Sequence, residues 1–227
     1  MLPQLVERSH TFEGLSEDVV AVCRTYASFV AVKRGHVLIR RGEPARTLYV
    51  IRTGYAKVCS ISRDGHEVVA AFAGPRDVVG QMAARDPDGS YLATAVALGP
   101  MELATWSRER ALDLSEKFPA IHERLDAQMI RNTEILLGRL HTVSEGKASQ
   151  RLARALVEIA RRHGQPDGTG ILLPLPLTRQ DLAGLTGTTL YTVSRIVADW
   201  VGAGILESRR ARLRIERLDR LRQKADA

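Results

Sequence analysis

TRQDLAGLTGTTLYTVSRIVADWVGAG, residues 178–204, contains two short helical patterns separated by a glycine. Thr178 can cap the first helix, and Asp181 in its first turn suits a helix N-terminus. Gly187 allows a sharp turn, after which a second helix would begin at Thr188-Thr189. The inward faces of both helices would carry apolar residues, namely Leu182, Ala183, Leu185, Val193, Ile196, Val197 and Trp200. Two short helices joined in this way are typical of a helix-turn-helix.

The first residues of the second helix are the part of a helix-turn-helix that enters the major groove of duplex DNA. Arg195 is a candidate for a bidentate hydrogen-bonded contact with guanine, which is worth about 1–3 kcal/mol of discrimination between bases. Leu190, Tyr191 and Ser194 are spaced to share its exposed face. Further candidates for DNA contact surround them, at Thr178, Arg179, Gln180, Thr188, Thr189 and Thr192. The pattern predicts binding to double-stranded DNA; a helical hairpin used for protein contacts is the alternative.

Residues 207–215 predict a short hairpin, the wing of a winged helix-turn-helix. This hairpin carries candidates for contacts with DNA phosphates, at Arg209, Arg210, Arg212 and Arg214. Such contacts give salt-sensitive affinity but little information about base sequence. Of the 33 Lys and Arg residues 15 lie after residue 146, with only eight of the 26 Asp and Glu residues. The whole net charge of +7 therefore lies in the last third, as expected for a polyanion partner.

Between Phe29 and Trp106, short β-branched runs alternate with glycines. Residues 47–51, 56–61 and 67–72 are predicted strands, and Asp64-Gly65 is a hairpin signal between the last two. Several short strands at about ten-residue spacing indicate a barrel or a double-sheet roll. A helix over residues 15–28, capped by Ser16, should precede them.

A long helix is predicted over residues 108–143. Its apolar residues recur at steps of three, four or seven, at Phe118, Ile121, Leu125, Met129, Leu136, Leu140 and Val143. We favour a coiled-coil seam between two subunits, with Asn132 beside it; a helix packed on its own roll is the alternative. Residues 144–146 interrupt the pattern as a hinge. A helix over 147–163 follows, then a turn-rich loop over 165–170 and an extended segment over 171–176.

Composition excludes several classes of protein. No apolar run approaches the roughly 18 residues that span a bilayer, and the N-terminal residues lack the order of a signal peptide, so a cytoplasmic location is expected. The two cysteines, Cys23 and Cys59, cannot hold a four-thiolate cluster within one chain, and no metal site is predicted. No P-loop, nucleophile elbow or GxGxxG occurs, so no enzyme is predicted.

The order of these elements resembles bacterial regulators of the cyclic-AMP receptor protein/FNR (CRP/FNR) type over residues 12–215. The resemblance is carried by Arg41–Ala45, Leu48–Ile51, Gly54, Asp64-Gly65, Asp77–Gly80, Leu177–Ala183 and Thr192–Arg195. It implies an α+β fold whose residues 1–107 form a cyclic-nucleotide-binding-like β-roll, a jelly-roll-like double-stranded β-helix. It also implies a dimerisation helix over 108–143, a hinge over 144–146 and a winged helix-turn-helix domain over 147–227. The implied function is a homodimeric transcription regulator that binds a palindromic operator and contacts RNA polymerase.

The sensor region departs from the cyclic-AMP-binding members at three places. Their Gly-Glu, which holds the ribose, is Gly80-Gln81 here, and their Arg-Ser, which holds the cyclic phosphate, is Tyr91-Leu92. Their Thr-Ser, which faces the adenine, is Leu136-Leu137. These six residues are candidates for an effector pocket. The lost arginine removes a charge-assisted hydrogen bond of about 1.5–3 kcal/mol, so cyclic AMP is disfavoured.

Of the other effectors known for such regulators, the sequence excludes one and leaves the rest open. FNR-like members hold an oxygen-sensing cluster on N-terminal cysteines, which this chain lacks before Cys23, so an iron–sulfur cluster is excluded within one chain. An apolar ligand, haem, redox chemistry at Cys23 or Cys59, and no effector at all stay open. A cyclic-nucleotide-binding-like regulatory protein acting through a protein partner is the alternative function.

The recognition helix departs as well. Many members have Arg-Glu or Val-Glu where this chain has Leu190-Tyr191. That glutamate accepts a hydrogen bond from cytosine, and tyrosine cannot act as a carboxylate acceptor. The half-site should therefore differ from the common one at this pair.

Overall fold

The computed structural model describes residues 14–61, 67–144, 146–209 and 212–226, with only the backbone for residue 135 and residues 137–144. The chain divides into two compact units, one of Met1–Ser60 with Ala71–Ile135, the other of Ile61–Ala70 with Leu136–Ala227. None of the described helices combines the length and apolar character that crossing a bilayer demands.

The described residues before Arg108 form a roll of two four-stranded sheets, as the sequence predicts. Its elements are helix α1 (Glu17–Thr25) and strands β1 (Ser28–Val32), β2 (Val37–Ile39), β3 (Thr47–Thr53), β4 (Ala56–Ile61), β5 (Glu67–Ala73), β6 (Val78–Val79), β7 (Thr94–Ala97) and β8 (Met101–Ser107). The sheets run β1-β8-β3-β6 and β2-β7-β4-β5. The predicted strands over 47–51, 56–61 and 67–72 are confirmed, and Asp64-Gly65 lies outside the described residues.

Alternating apolar residues of the two sheets fill the interior of the roll. In β8, Met101, Leu103 and Trp106 are almost fully buried, while Glu102 between them is exposed. The indole Nε1 of Trp106 donates to the backbone oxygen of Cys23 at 2.8 Å, which fastens α1 to the sheet. Burial with a partnered N–H is what a core tryptophan needs.

The predicted single helix over 108–143 is wrong, because two helices occupy this range. Helix α2 spans Arg108–Lys117 and helix α3 spans Pro119–Ser144. Phe118 between them has φ −126° and ψ 86°, outside the helical region. The following proline is the physical reason, since its ring disfavours a helical residue before it and its fixed φ suits the first position of a new helix.

The predicted apolar stripe is buried against the roll in its first part and exposed at Leu136 farther along. Ile121 and Leu125 of α3 are buried in the core of the roll itself, as is most of Phe118. These positions follow the alternative of a helix packed on its own roll. Farther along α3, Ile130 is 60% exposed and Leu136 is 45% exposed. The side chains of Leu140 and Val143 are outside the description.

The second unit contains the predicted helical pair and a mixed set of short elements. They are α4 (Ala148–His163), β9 (Gln165–Asp167), β10 (Gly170–Leu173), α5 (Arg179–Thr186), α6 (Leu190–Gly202), β11 (Leu206–Arg209), β12 (Arg212–Ile215) and α7 (Leu218–Asp226). The four strands form one sheet in the order β11-β12-β10-β9. Leu152, Leu156 and Ile159 of α4 are buried, as predicted.

Two elements of this unit differ from the prediction. The expected loop over 165–170 is a hairpin, because β9 pairs with β10 through Gln165 and Leu172. Helix α7 was not predicted at all. It buries only Leu221 and Ala225, too few apolar positions for a periodic signal, and it packs on α4.

Candidate nucleic-acid interface

Thr178 and Asp181 form a reciprocal cap at the start of α5. The Thr178 hydroxyl accepts from the Asp181 amide at 3.1 Å, and the Thr178 amide donates to Asp181 Oδ2 at 2.9 Å. The hydroxyl also donates to Oδ2 at 2.6 Å. The backbone amides at the start of a helix have no carbonyl partner within the helix, and this cap supplies partners for the amides of Thr178 and Asp181. The predicted cap is confirmed, and the hydroxyl of Thr178 is fully engaged within the protein.

Arg151 of α4 donates hydrogen bonds to the turn between α5 and α6. Its Nε donates to Thr186 O at 2.9 Å and its Nη1 donates to Gly146 O at 2.7 Å. Gly187 adopts φ 60°, the left-handed conformation that a glycine permits without strain. Arg151 thus joins Gly146, two residues before the start of α4, to the turn that orients α6.

Helix α6 begins one residue later than predicted, at Leu190, with Thr189 as its N-cap. The Thr189 hydroxyl accepts from the Thr192 amide at 3.1 Å and lies 2.9 Å from the Thr192 hydroxyl. Both threonines therefore stabilise the first turn of α6. The buried face of the helix is formed by Val193, Ile196, Val197 and Trp200, as the spacing predicts.

The opposite face of α6 is open to solvent at its N-terminal end. Tyr191 is 78% exposed and Leu190 is 50% exposed, and Ser194 and Arg195 are exposed beside them. The Ser194 hydroxyl donates to Leu190 O at 2.8 Å, so it offers only its acceptor to a ligand. The structure brings the four predicted residues onto one face, which we call the recognition face.

Arg179 lies at the first position of α5, but it faces inward toward the wing. Its Nη2 donates to the Ser208 hydroxyl of β11 at 2.8 Å, and burial lowers the pKa of the guanidinium. Arg179 therefore positions the wing against α5. Gln180, the next residue, is exposed, and Thr188 is half-buried.

The hairpin of β11 and β12 is the predicted wing. Arg209 is 84% exposed and pairs with Glu207 at 2.6 Å, and Arg212 opposite it is also exposed. Arg214 differs from the prediction: it donates to Asp167 O at 2.7 Å and forms ion pairs with Asp167 and Glu216. It braces the two hairpins and is not available to a phosphate. Arg210 lies outside the described residues.

In the first unit, Gly80 and Tyr91 of the candidate effector pocket are in contact. The Tyr91 hydroxyl accepts from the Thr47 amide at 2.9 Å and donates to Thr47 O at 3.0 Å. A Cβ at Gly80 would lie 2.6 Å from Thr47 O and 3.2 Å from the Tyr91 ring. The tyrosine ring is buried in the core, with its only polar group satisfied by the backbone.

The other pocket candidates, as far as the structure describes them, are uncharged side chains. Leu92 is 67% exposed, so most of its side chain lies at the surface, and its assignment to a pocket stays a prediction. The Gln81 amide donates to Val78 O at 3.2 Å. Leu136 is exposed on α3 and the side chain of Leu137 is not described, so their assignment stays a prediction.

The two arginines that flank this segment are bonded within the roll. Arg108 donates to the backbone oxygens of Ala45, Pro87 and Gly89, with Nη2 at 2.7 Å from Gly89 O. Arg85 forms an ion pair with Asp126 of α3. Neither guanidinium is free to replace the missing phosphate-binding arginine.

Cys23 is a poor redox centre. Burial raises the pKa of its thiol to about 12, so the reactive thiolate is scarce at neutral pH. Cys59 is also buried and reduced.

Comparison with known proteins agrees with this geometry. The chain matches the cyclic nucleotide-binding domain over residues 29–118 and the Crp-like helix-turn-helix domain over residues 150–224. The chain belongs to the CRP/FNR family. It is a DNA-binding transcription regulator of that family, with a helix-turn-helix domain, and not an enzyme. The α+β fold and the resemblance inferred from the sequence are confirmed.

Relatives of this CRP/FNR regulator cover almost the whole chain. It is 25% identical over 224 residues to the CRP-like cAMP-activated global transcriptional regulator of Mycobacterium tuberculosis, covering 99% of this chain and 100% of that protein. It is 27% identical over 194 residues to the fumarate and nitrate reduction regulatory protein of Escherichia coli, covering 86% and 77%. The structure of FixK2 from Bradyrhizobium japonicum shares the fold, with a TM-score of 0.77, 23% identity, and coverage of 88% and 98%.

Proposed function

We propose that this CRP/FNR regulator acts in the cytoplasm as a homodimer that binds a palindromic operator and contacts RNA polymerase. The observation that carries the proposal is the recognition face, whose exposed residues include Arg195, a side chain suited to guanine. Arg209 and Arg212 on the wing are placed to contact phosphates, which give affinity without base information.

Apolar exposure on α3 supports the dimer. Ile130 and Leu136 lie six residues apart with much of their surface open, and Asn132 between them is half-buried. Apolar residues left exposed on a helix are typical of a surface that another subunit covers, and a polar residue among them can set the register. The residues over 144–146, between the end of α3 and the start of α4, are proposed as the hinge of the dimer.

A footprint on selected DNA tests this function. Duplexes recovered from a random-sequence pool by the full-length protein should contain two inverted half-sites, with centres about 10 base pairs apart or a multiple of that. Native mass measurement should give twice the chain mass, and Ile130→Lys should shift it toward one chain. A monomer that protects a single, non-repeated site would contradict the proposal.

We further propose that the effector is not cyclic AMP, although relatives of the chain are named for that ligand. The position of the phosphate-binding arginine holds Tyr91, whose ring is buried against Gly80 and whose hydroxyl is bonded to Thr47. A cyclic phosphate placed there would displace a satisfied core residue and would meet no free cation from Arg85 or Arg108.

Cyclic AMP at about 1 mM should leave the melting temperature of the protein unchanged within about 1 °C. A ligand with a Kd one hundred times lower than its concentration would stabilise the folded state by about 2.7 kcal/mol and raise the melting temperature by several degrees. Thermal unfolding with cyclic AMP, with 5′-AMP as the matched control, distinguishes these cases. A rise with cyclic AMP alone would contradict the assignment.

A further inference from the structure

The recognition face combines one cation with two uncharged side chains of large apolar surface. Leu190 and Tyr191 occupy the first two positions of α6, and Arg195 follows one turn later. Leucine has no hydrogen-bonding side-chain atom, and the tyrosine ring is 78% exposed. Leu190 is 50% exposed as well, so both side chains keep half or more of their surface available to a groove.

We propose that Leu190 and Tyr191 read the C5 methyl groups of thymines next to the guanine that Arg195 contacts. Among the four bases of DNA, only thymine presents an apolar group in the major groove, and apolar side chains recognise it by direct packing. The inference rests on the proposed function and adds the base class that this part of α6 selects.

The same pair disfavours cytosine. A cytosine presents an N4 amino donor at the position where glutamate would accept, and an apolar side chain packed there would leave that donor without a partner. Selection by Leu190 and Tyr191 therefore has an attractive component for thymine and a repulsive component for cytosine.

The Tyr191 hydroxyl offers a competing explanation. A phenol can donate to a base or to a phosphate oxygen, which would make the contact polar and independent of the methyl group. Tyr191→Phe removes only the hydroxyl, whereas Tyr191→Ala removes the packing surface as well. Leu190 and Tyr191 are exposed at a helix N-terminus, so these substitutions leave the core of the unit intact.

The experiment uses the full-length protein and its operator selected from random duplexes. Each thymine of one half-site is replaced in turn by deoxyuridine, which deletes only the methyl group, and the dissociation constant is measured at fixed salt. We expect about a fourfold weakening at one or two thymines within three base pairs of the guanine, the factor that corresponds to about 0.8 kcal/mol per methyl-sized group. 5-Methylcytosine at the same position should bind more tightly than cytosine.

Variants of the protein test the same contacts from the protein side. Leu190→Ala or Tyr191→Ala should abolish the difference between thymine and deoxyuridine at its own position, and Tyr191→Phe should preserve it. Arg195→Ala is the matched control, because it should remove the guanine preference and leave the deoxyuridine effect in place. A half-site without thymine beside the guanine, no effect of deoxyuridine, or a loss with Tyr191→Phe would overturn the inference.

The two proposals fail in different ways. If the protein enriches no repeated sequence, or if Arg195→Ala changes no base preference, the proposed function fails. If an operator is found and Arg195 reads its guanine but deoxyuridine is tolerated at every thymine, only the methyl contact is overturned.

Discussion

Replacing Gly54 with alanine should lower the free energy of unfolding of the roll by about 2–5 kcal/mol. Gly54 joins β3 to β4 with φ 84°, a left-handed conformation that costs an alanine about 1–2 kcal/mol. A Cβ there would lie 2.4 Å from Pro100 O and 2.7 Å from Met101 Cγ, so the backbone before β8 would also have to move. Overpacking of this kind adds about 1–3 kcal/mol.

Gly35→Ala is the matched control for the roll. Gly35 has nearly the same φ, 83°, but an added Cβ would meet no atom within 4 Å. Its substitution should therefore cost only the conformational part, about 1–2 kcal/mol. Urea unfolding followed by Trp106 fluorescence, in a Trp200→Phe background and at constant protein concentration, measures both. Equal losses for the two variants would show that the contact at Gly54 relaxes freely.

Arg151→Met should weaken operator binding about tenfold, equivalent to about 1.4 kcal/mol, and destabilise the helix-turn-helix domain by about 2 kcal/mol. The guanidinium donates to Thr186 O and Gly146 O, and more weakly to Gly187 O at 3.4 Å. Methionine keeps the aliphatic stem but leaves these carbonyl oxygens without their charged donor. The turn loosens, and α6 must be ordered when it binds DNA.

Arg154→Met, on the same helix, separates this effect from a general loss of charge. Arg154 Nε donates to Ala225 O of α7 at 2.9 Å and has no contact with the turn among the bonds of the described residues. Its replacement removes the same charge and should cost about 1 kcal/mol of stability. The dissociation constant, measured at fixed salt, should change less than twofold. If both variants weaken binding alike, Arg151 acts through charge and not through the turn.

The helix-turn-helix was predictable from the sequence nearly residue by residue. Caps, a glycine turn and the 3.6-residue spacing of apolar positions are local signals, and they placed α5 and α6 within two residues of their observed starts. The roll followed from strand spacing in the same way. Both are cases in which neighbouring residues contain the information.

The long helical region was not predictable by periodicity alone. Phe118, Ile121 and Leu125 recur at helical spacing whether they face a partner subunit or their own roll, and the structure places them on the roll. The break at Phe118 did have a local signal, because Pro119 disfavours a helical conformation in the residue before it. The prediction gave more weight to the apolar spacing that continues across the proline. Of the predicted seam, Leu136 near the far end of α3 is exposed, and Ile130, which the predicted stripe did not include, is exposed as well.

The roles of individual polar residues in the interface also required the structure. Arg179 and Arg214 have the side chain that commonly contacts phosphates, yet each is bonded to another part of the same domain. Arg195 and Arg209 are exposed instead, and Arg209 pairs only with Glu207 of its own strand among the ion pairs of the described residues. No sequence signal separates these two groups.

The sequence by itself determined three strands of the roll, the starts of the two reading helices to within two residues, and the absence of any arginine between Arg85 and Arg108. Those features depend on residue identity and on spacing along the chain. Only the tertiary structure decided that Tyr91 is bonded to Thr47, that Arg151 secures the turn before α6, and that Leu190 and Tyr191 stay uncovered. These depend on distances between residues far apart in sequence, because hydrogen bonds and burial act through space and a local pattern does not record them.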